Sequence, residues 1–158
     1  MAAGRRSGGY VLLSLLLALF VLGLWLQNRL VDMAARIRRE HEAQLLVVGD
    51  EMALALLGYR NTHSGLFPPT LEDLVTDKSM LPVRHYLRRI RPDPITGKVD
   101  WAFVRDQDGR ITAVFSPSGL KPFCQDGFDP LHSAFANKHS YSDWKFAPPD
   151  PGQQSGSN

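Results

Sequence analysis

Residues 8–26 read GGYVLLSLLLALFVLGLWL and contain no charged side chain. These nineteen residues at the α-helical rise span about 28 Å, close to the ~30 Å hydrocarbon core of a bilayer. A buried core helix this apolar would need a larger core than the rest of the chain can build, and no small-residue secretory cleavage site follows the run. The stretch therefore predicts a retained membrane-spanning helix at residues 10–26. Its orientation stays open, because arginines occur on both sides of it.

The helical pattern does not stop after this stretch. No proline occurs before Pro68, and residues 27–59 are rich in the helix formers Leu, Ala, Arg, Glu and Met. Apolar positions recur there at helical spacing. Residues 45–57 are apolar nearly all round, which is typical of a helix covered by a domain. The sequence thus predicts one long helix from Gly9 to Tyr59.

Beyond the helix, the sequence predicts a small globular domain. Val99–Arg105 and Arg110–Ser116 are rich in β-forming residues and flank the turn sequence DQDG, so they predict a hairpin. The predicted fold class is α+β, with a long N-terminal helix packed on a small antiparallel sheet. Further predictions are a short helix capped by Thr70, a second short helix over Val83–Ile90, a third strand over Tyr141–Phe146 and a disordered tail at residues 148–158.

Composition and motif content exclude several classes of function. The chain has 158 residues with 18 Lys+Arg and 16 Asp+Glu, a net charge of +2, so no strong field favours nucleic acid and no nucleic-acid partner is expected. The single cysteine, Cys124, excludes an intramolecular disulfide and a cysteine-based zinc site. No nucleophile motif, phosphate loop or dinucleotide fingerprint occurs, and the histidines lack metal-ligand spacing. We therefore predict that the chain is not an enzyme and needs no cofactor.

Three motifs of the chain share features with one known family. Residues 5–9 (RRSGG) form a short basic leader that ends in glycine, and Tyr10 opens the apolar run. Leu66–Leu74 reads LFPPTLEDL, and Leu87–Gly97 reads LRRIRPDPITG and is followed by Trp101. The leader, the segment after the helix and the segment before the tryptophan together resemble the type IV pilins and the type II secretion pseudopilins.

This resemblance implies a pilin-like fold and a structural role. In the family, prepilin peptidase cuts after the glycine equivalent to Gly9 and methylates the new N-terminal amine, here that of Tyr10. The expected location is the bacterial inner membrane, crossed once, with the C-terminal domain in the periplasm. The expected partners are other pseudopilin or pilin subunits, prepilin peptidase and the inner-membrane assembly platform. The implied domains are a leader (1–9), a transmembrane helix (10–26), a periplasmic helix continuation (27–63), an α+β domain (64–147) and the tail (148–158).

One position departs from the family pattern. The family places Glu at the fifth mature position, where its carboxylate meets the N-terminal amine of a neighbouring subunit, and this chain has Ser14 there. The resemblance therefore implies a minor subunit of a type II secretion or related type IV filament machine, and which of the two stays open. The alternative is a single-pass inner-membrane protein whose periplasmic domain binds a partner without polymerising.

Clustered aspartates raise the further hypothesis of a calcium site. Asp106 and Asp108 precede Gly109, but the additional oxygen ligands of a complete calcium loop are missing, and a hairpin turn explains the same residues. Some secretion pseudopilins bind calcium in their loop region. On the resemblance, Asp93, Asp100, Asp106 and Asp108 are therefore candidate calcium ligands, and no other metal site is predicted.

Overall fold

The computed structural model describes residues 7–149, with side chains described for residues 9–25 and 36–149. The chain divides into two compact units, Met1–Arg38 and Arg39–Asn158. Helix α1 spans Ser7–Thr62 and contributes to both units. The second unit therefore begins within α1, whereas the sequence placed the start of the globular domain at residue 64.

The described part of the first unit is helical. Every described side chain from Gly9 to Trp25 is exposed. A bilayer-spanning helix needs about 20 predominantly apolar residues, and among residues 7–149 no helix is both long and apolar enough to cross a membrane. This finding contradicts the predicted membrane-spanning segment at residues 10–26. It also contradicts the predicted single-pass inner-membrane location with a periplasmic C-terminal domain.

The second unit is built on one stripe of α1. Leu45, Val48, Met52, Leu56 and Tyr59 are buried and follow each other at spacings of three and four residues, so they lie on one helix face. This face packs in a single core with side chains of the loops and the sheet. The largest contributors from outside α1 are Leu74, Trp101, Ile111, Val114, Phe135, Tyr141, Trp144 and Phe146.

A glycine beside this stripe allows an aromatic ring to approach the helix backbone closely. The ring of Phe146 lies against the backbone of α1 at Gly49, and a Cβ atom at Gly49 would overlap that ring. Because no side chain can be accommodated there, Gly49 fixes the distance between α1 and the segment that carries Phe146.

The predicted hairpin is present with slightly shorter strands. Strands β1 (Ala102–Arg105) and β2 (Ile111–Phe115) pair antiparallel and form a two-stranded sheet. In the connecting turn, the Asp106 carboxylate accepts the amide protons of Asp108 and Arg110. Gly109 has φ of 76°, a conformation that glycine adopts without strain. The predicted α+β class is thus confirmed, since the structure combines helices with a small antiparallel sheet.

The short elements differ from their predictions. Helix α2 spans Glu72–Val75. Its N-cap residue is Leu71, whereas the sequence predicted Thr70. Val83–Ile90 is not helical, since the amides of Tyr86 and Leu87 both donate to the Leu74 carbonyl and hold the segment in an irregular path.

The predicted third strand is reduced to one bridge. Tyr141–Asp143 forms a 3₁₀ helix, which the Asp143 carboxylate caps by accepting from the Ser140 amide at 3.2 Å. Within Tyr141–Phe146, only Phe146 pairs with β2, in a single bridge to Val114. A second 3₁₀ helix spans Pro130–Phe135. Leader residues 1–6 and tail residues 150–158 lie outside the described part of the chain.

Candidate functional site

The predicted processing site lies in the first turns of α1. Gly9 and Tyr10 are both exposed, and 76% of the Tyr10 surface is accessible. A Cβ atom at Gly9 would contact nothing within 4 Å. A substitution at Gly9 can therefore test recognition by a peptidase without disturbing packing around it.

Ser14 is satisfied within its own helix. Its hydroxyl donates a hydrogen bond to the Val11 carbonyl at 2.9 Å, a common arrangement for helical serine. The first turn of α1 contains no acidic residue. This helical stretch therefore offers no carboxylate at the position where the resembled family places one.

The dominant surface feature of the first unit is apolar. The large apolar side chains from Tyr10 to Trp25 occur on every side of the helix and are each at least half exposed. Monomeric proteins rarely expose a continuous apolar surface beyond a few hundred Å², and larger ones mark interaction sites. The exposed side chains are Tyr10, Val11, Leu12, Leu13, Leu15, Leu16, Leu17, Leu19, Phe20, Val21, Leu22, Leu24 and Trp25.

A buried carboxylate in the second unit fastens a loop to α1. Glu42 is 4% exposed. It accepts hydrogen bonds from the backbone amides of Phe123 and Cys124 and, at 2.6 Å, from the Tyr141 hydroxyl. Three donors on one carboxylate compensate for its removal from water. Sequence reasoning missed this role, because the donors lie about eighty to a hundred residues away, and the only local signal is an acid beside the buried stripe.

A buried histidine connects the same loop region to α1. The His132 ring contacts Asp129 through Nδ1 at 2.8 Å and Asp50 through Nε2 at 2.9 Å. Both ring nitrogens thus face carboxylates, an arrangement that orients the ring and leaves neither nitrogen available to a ligand. The hydrogen bond from the His132 amide, helped by the charge and the hydrogen bond of the His132 ring, holds the pKa of Asp129 below its usual value against the opposing effect of desolvation.

A second histidine cluster lies at the C-terminal end of α1. His63 Nε2 is 2.9 Å from the Ser79 hydroxyl and 3.2 Å from Asp77 Oδ2. The Ser79 hydroxyl donates to Asp77 Oδ1 at 2.6 Å, so its proton is directed to the acid and not to the histidine. This geometry differs from a nucleophilic triad, in which the histidine bridges the serine and the acid through opposite ring nitrogens.

The Asp77 carboxylate of this cluster is almost completely buried. Burial raises the pKa of Asp77, but the hydrogen bonds from the Ser79 hydroxyl and amide, the nearby His63 ring and the Tyr86 hydroxyl outweigh it and lower the pKa below its usual value. The cluster therefore holds an ionised carboxylate whose hydrogen bonds stabilise the fold.

Three of the four candidate calcium ligands, Asp93, Asp100 and Asp106, accept hydrogen bonds from their own chain through their carboxylates. Asp93 is fully buried and accepts from the Ile95 amide and the Ser116 hydroxyl at 2.9 and 2.5 Å. Asp100 accepts from the Thr96 hydroxyl, and Asp106 and Asp108 belong to the hairpin turn. Among the side chains that the structure describes, at residues 9–25 and 36–149, no three from His, Cys, Asp or Glu form a group that would hold a metal ion. The structure thus does not bring the four aspartates together.

Neither a family model, nor a curated protein, nor a solved structure matches this chain. The resemblance to pilins and pseudopilins therefore rests on the sequence motifs alone.

Proposed function

We propose that the chain is a structural, non-enzymatic subunit of a type IV pilin-like assembly, of the type II secretion or a related filament class. The observation that carries this proposal is the exposed apolar helix surface from Tyr10 to Trp25, directly after the leader-like glycine. Burying one Leu, Val or Phe side chain contributes about 1.5–3 kcal/mol. Packing this surface against helices of neighbouring subunits is thus a sufficient driving force for assembly.

The polar clusters of the second unit are consistent with a structural role. Glu42, His132 and Asp77 each bind groups of their own chain, and each fastens a loop to α1 or to the end of α1. Their arrangement supports a rigid domain that is presented to other subunits, and no substrate is needed to explain them.

Ser14 supports the assignment as a minor subunit. Without a carboxylate at this position, the chain lacks the acidic half of the pairing with a neighbour's N-terminal amine that the resembled family uses. Its own amine on Tyr10, once freed by cleavage, remains able to pair with a glutamate of another subunit. We therefore propose that it assembles with other pseudopilin or pilin subunits and polymerises poorly alone.

The test is processing by a prepilin peptidase. Co-expression of the full chain with the peptidase is expected to remove residues 1–9 and add one methyl group, as measured by intact mass. Gly9→Val should abolish cleavage, because a branched side chain obstructs the peptidase. Gly23→Val is the matched control, since a Cβ atom at Gly23 also contacts nothing within 4 Å, and it should be cleaved normally.

Two results would contradict the proposal. One is an unprocessed wild-type chain in the presence of a peptidase that cleaves a known prepilin. The other is normal cleavage of the Gly9→Val variant.

A further inference from the structure

The two edges of the small sheet differ in whether their backbone groups are paired. On the side of β2 away from β1, the Val114 amide donates to the Phe146 carbonyl at 3.0 Å, and the Phe146 amide donates back to the Val114 carbonyl at 2.8 Å. Among residues 7–149, no backbone hydrogen bond joins residues 102–105 of β1 to any segment other than β2. Strand β1 is therefore the open edge of the sheet.

The pairing register determines which backbone groups of β1 point outward. Phe103 lies directly opposite Val114, and Val114 uses both its amide and its carbonyl for Phe146. In an antiparallel ladder, two opposite residues exchange either both hydrogen bonds or none, and the two kinds of pair alternate. Phe103 and Val114 therefore exchange none, and Phe103 directs its amide and its carbonyl away from β2.

These two backbone groups of Phe103 have no partner in the part of the chain that the structure describes. Neither its amide nor its carbonyl makes a hydrogen bond there, whether to a backbone atom or to a side chain. Buried backbone groups are almost always paired, so we infer that both face water. A free donor and a free acceptor on one residue of an open strand are what an added strand needs for pairing.

A groove on one face of β1 borders this open edge. It has a volume of about 320 Å³, and Trp101, Phe103 and Arg105 line it. These three residues alternate along the chain, so their side chains share one face of the strand. Ile90 adds to the apolar lining, and the two charged residues, Glu72 and Arg105, have opposite signs. The groove therefore favours an apolar side chain over a charged one.

We propose that the open edge of β1 is a docking site at which an extended segment of another subunit adds as a further strand, paired with Phe103. This inference rests on the proposed function, because it names a surface through which the second unit joins partner subunits. The backbone amide and carbonyl of the added residue opposite Phe103 pair with the free carbonyl and amide of Phe103. Main-chain hydrogen bonds of this kind supply the affinity of strand addition.

The groove sets the side chain that the added segment carries. Residues opposite each other on neighbouring strands project on the same face of a sheet. The side chain opposite Phe103 therefore meets the Phe103 ring and the groove that this ring lines. Aromatic and β-branched side chains pair best with an aromatic ring across strands, so the segment has such a residue at this position.

A second copy of this chain is a different occupant of the same edge. Two copies would pair β1 with β1, and Phe103 of one copy would lie opposite or near Phe103 of the other. The serine at position 14 supports assembly with other subunits and poor self-assembly, so we assign the added strand to a different polypeptide. Pairing between two copies is one of the outcomes of the test.

Amide hydrogen exchange of the full chain, resolved by NMR, tests whether the edge is free. The Ala102 and Val104 amides face β2, because they belong to the pairs on either side of Phe103 in the ladder. The Phe103 amide should exchange about tenfold faster than these two, the scale of one backbone hydrogen bond. An equally slow Phe103 amide would mean that it is already paired within the chain, and the proposal would fail.

A synthetic peptide tests whether the edge accepts a strand. Its sequence is that of residues 110–116, RITAVFS, because this sequence already pairs with β1 as a strand. In excess, it should slow exchange at Phe103 by about tenfold and leave Ala102 and Val104 unchanged. The same peptide with N-methylated backbone amides is the control and should give no protection.

Three results of the peptide experiment would overturn the proposal. The unmodified peptide might as well be absent if Phe103 exchange does not change, and the edge would then not be a docking site. Equal protection by the methylated peptide would mean that side chains alone bind it. Slowing at Phe103 that grows with protein concentration without peptide would assign the edge to a second copy.

Two substitutions at Phe103 separate the backbone amide from the ring. Phe103→Ala and Phe103→Pro both remove the ring, but only proline removes the amide proton. Because this amide points away from β2, proline should leave the pairing of β1 with β2 in place, whereas Val104→Pro should disrupt it. Binding of the fluorescently labelled peptide should be about tenfold weaker for Phe103→Pro than for Phe103→Ala. Equal affinities of these two variants would contradict the proposed pairing.

The two proposals fail in different ways. Cleavage at Gly9 without peptide protection at Phe103 would leave the proposed function in place and remove only the edge contact. Protection at Phe103 in a chain that is never cleaved would remove the proposed function and leave the edge as a docking site for another kind of protein.

Discussion

Two stretches of α1 differ in which of their faces are covered. From Gly9 to Trp25 every described side chain is exposed although most are apolar. From Glu42 to Tyr59 the buried side chains form one stripe, and Val47 and Leu54 on the opposite face are exposed. The apolar stripe of the second stretch is covered by its own domain, whereas the apolar side chains of the first stretch are covered by no other described part of the chain. The burial of the apolar side chains, and not their number alone, thus distinguishes the two stretches of the helix.

The largest expected effect comes from removing a core side chain. Leu56 is fully buried, so Leu56→Ala should lower the free energy of unfolding of the second unit by about 2–5 kcal/mol. Leu16→Ala, at an exposed apolar position, should change it by less than about 0.5 kcal/mol. Denaturant titration followed by tryptophan fluorescence measures both. A comparable loss from Leu16→Ala would show that the first stretch is also covered within the chain. The two stretches would then not differ in burial.

A smaller effect is expected at the buried carboxylate. Glu42→Ala leaves the amides of Phe123 and Cys124 without an acceptor and should cost about 2–3 kcal/mol. Glu40→Ala, two positions away and exposed, should stay within about 0.5 kcal/mol. Hydrogen exchange should show lost protection at the Phe123 amide only in the first variant. Unchanged protection there would mean that the loop is held to α1 by packing and not by Glu42.

The smallest expected effect is the loss, in acid, of the stability that the buried Asp77 carboxylate contributes. The pKa of Asp77 is lowered in the folded protein, so its stabilisation is present above the ordinary carboxylate pKa of about 4 and is lost as the pH falls through the lower folded pKa. The difference in unfolding free energy between wild type and Asp77→Asn should therefore shrink on acidification. A wild-type advantage over Asp77→Asn that persists to the lowest pH would contradict this assignment.

The sequence predicted the features that depend on local pattern. The hairpin was predictable because DQDG supplies both a carboxylate that accepts turn amides and a glycine at positive φ. The buried stripe of α1 was predictable because its apolar residues recur at helical spacing. In both cases neighbours in the sequence determine the structure.

The incorrect or missing predictions depend on distant contacts. Val83–Ile90 has residues that tolerate a helix, yet two backbone hydrogen bonds to Leu74 hold it in another path. The sequence favoured a strand over Tyr141–Phe146, but the capping contact between Ser140 and Asp143 winds its start into a 3₁₀ turn. The roles of Glu42, Asp77 and His132 as loop anchors were equally invisible, since their partners are brought together only by the fold.

The contact of Phe146 with Gly49 constrains when the second unit is able to form during synthesis. The residues that complete the core around α1, from Tyr141 to Phe146, leave the ribosome almost a hundred residues after the helix positions that they cover. Contacts so distant along the chain form slowly, because a long loop must close before they contribute. Until then, the stripe around Gly49 stays uncovered by this segment in the nascent chain. Nascent chains stalled before residue 141 should therefore be sensitive to protease within residues 42–59, and chains stalled well beyond residue 146 should be resistant.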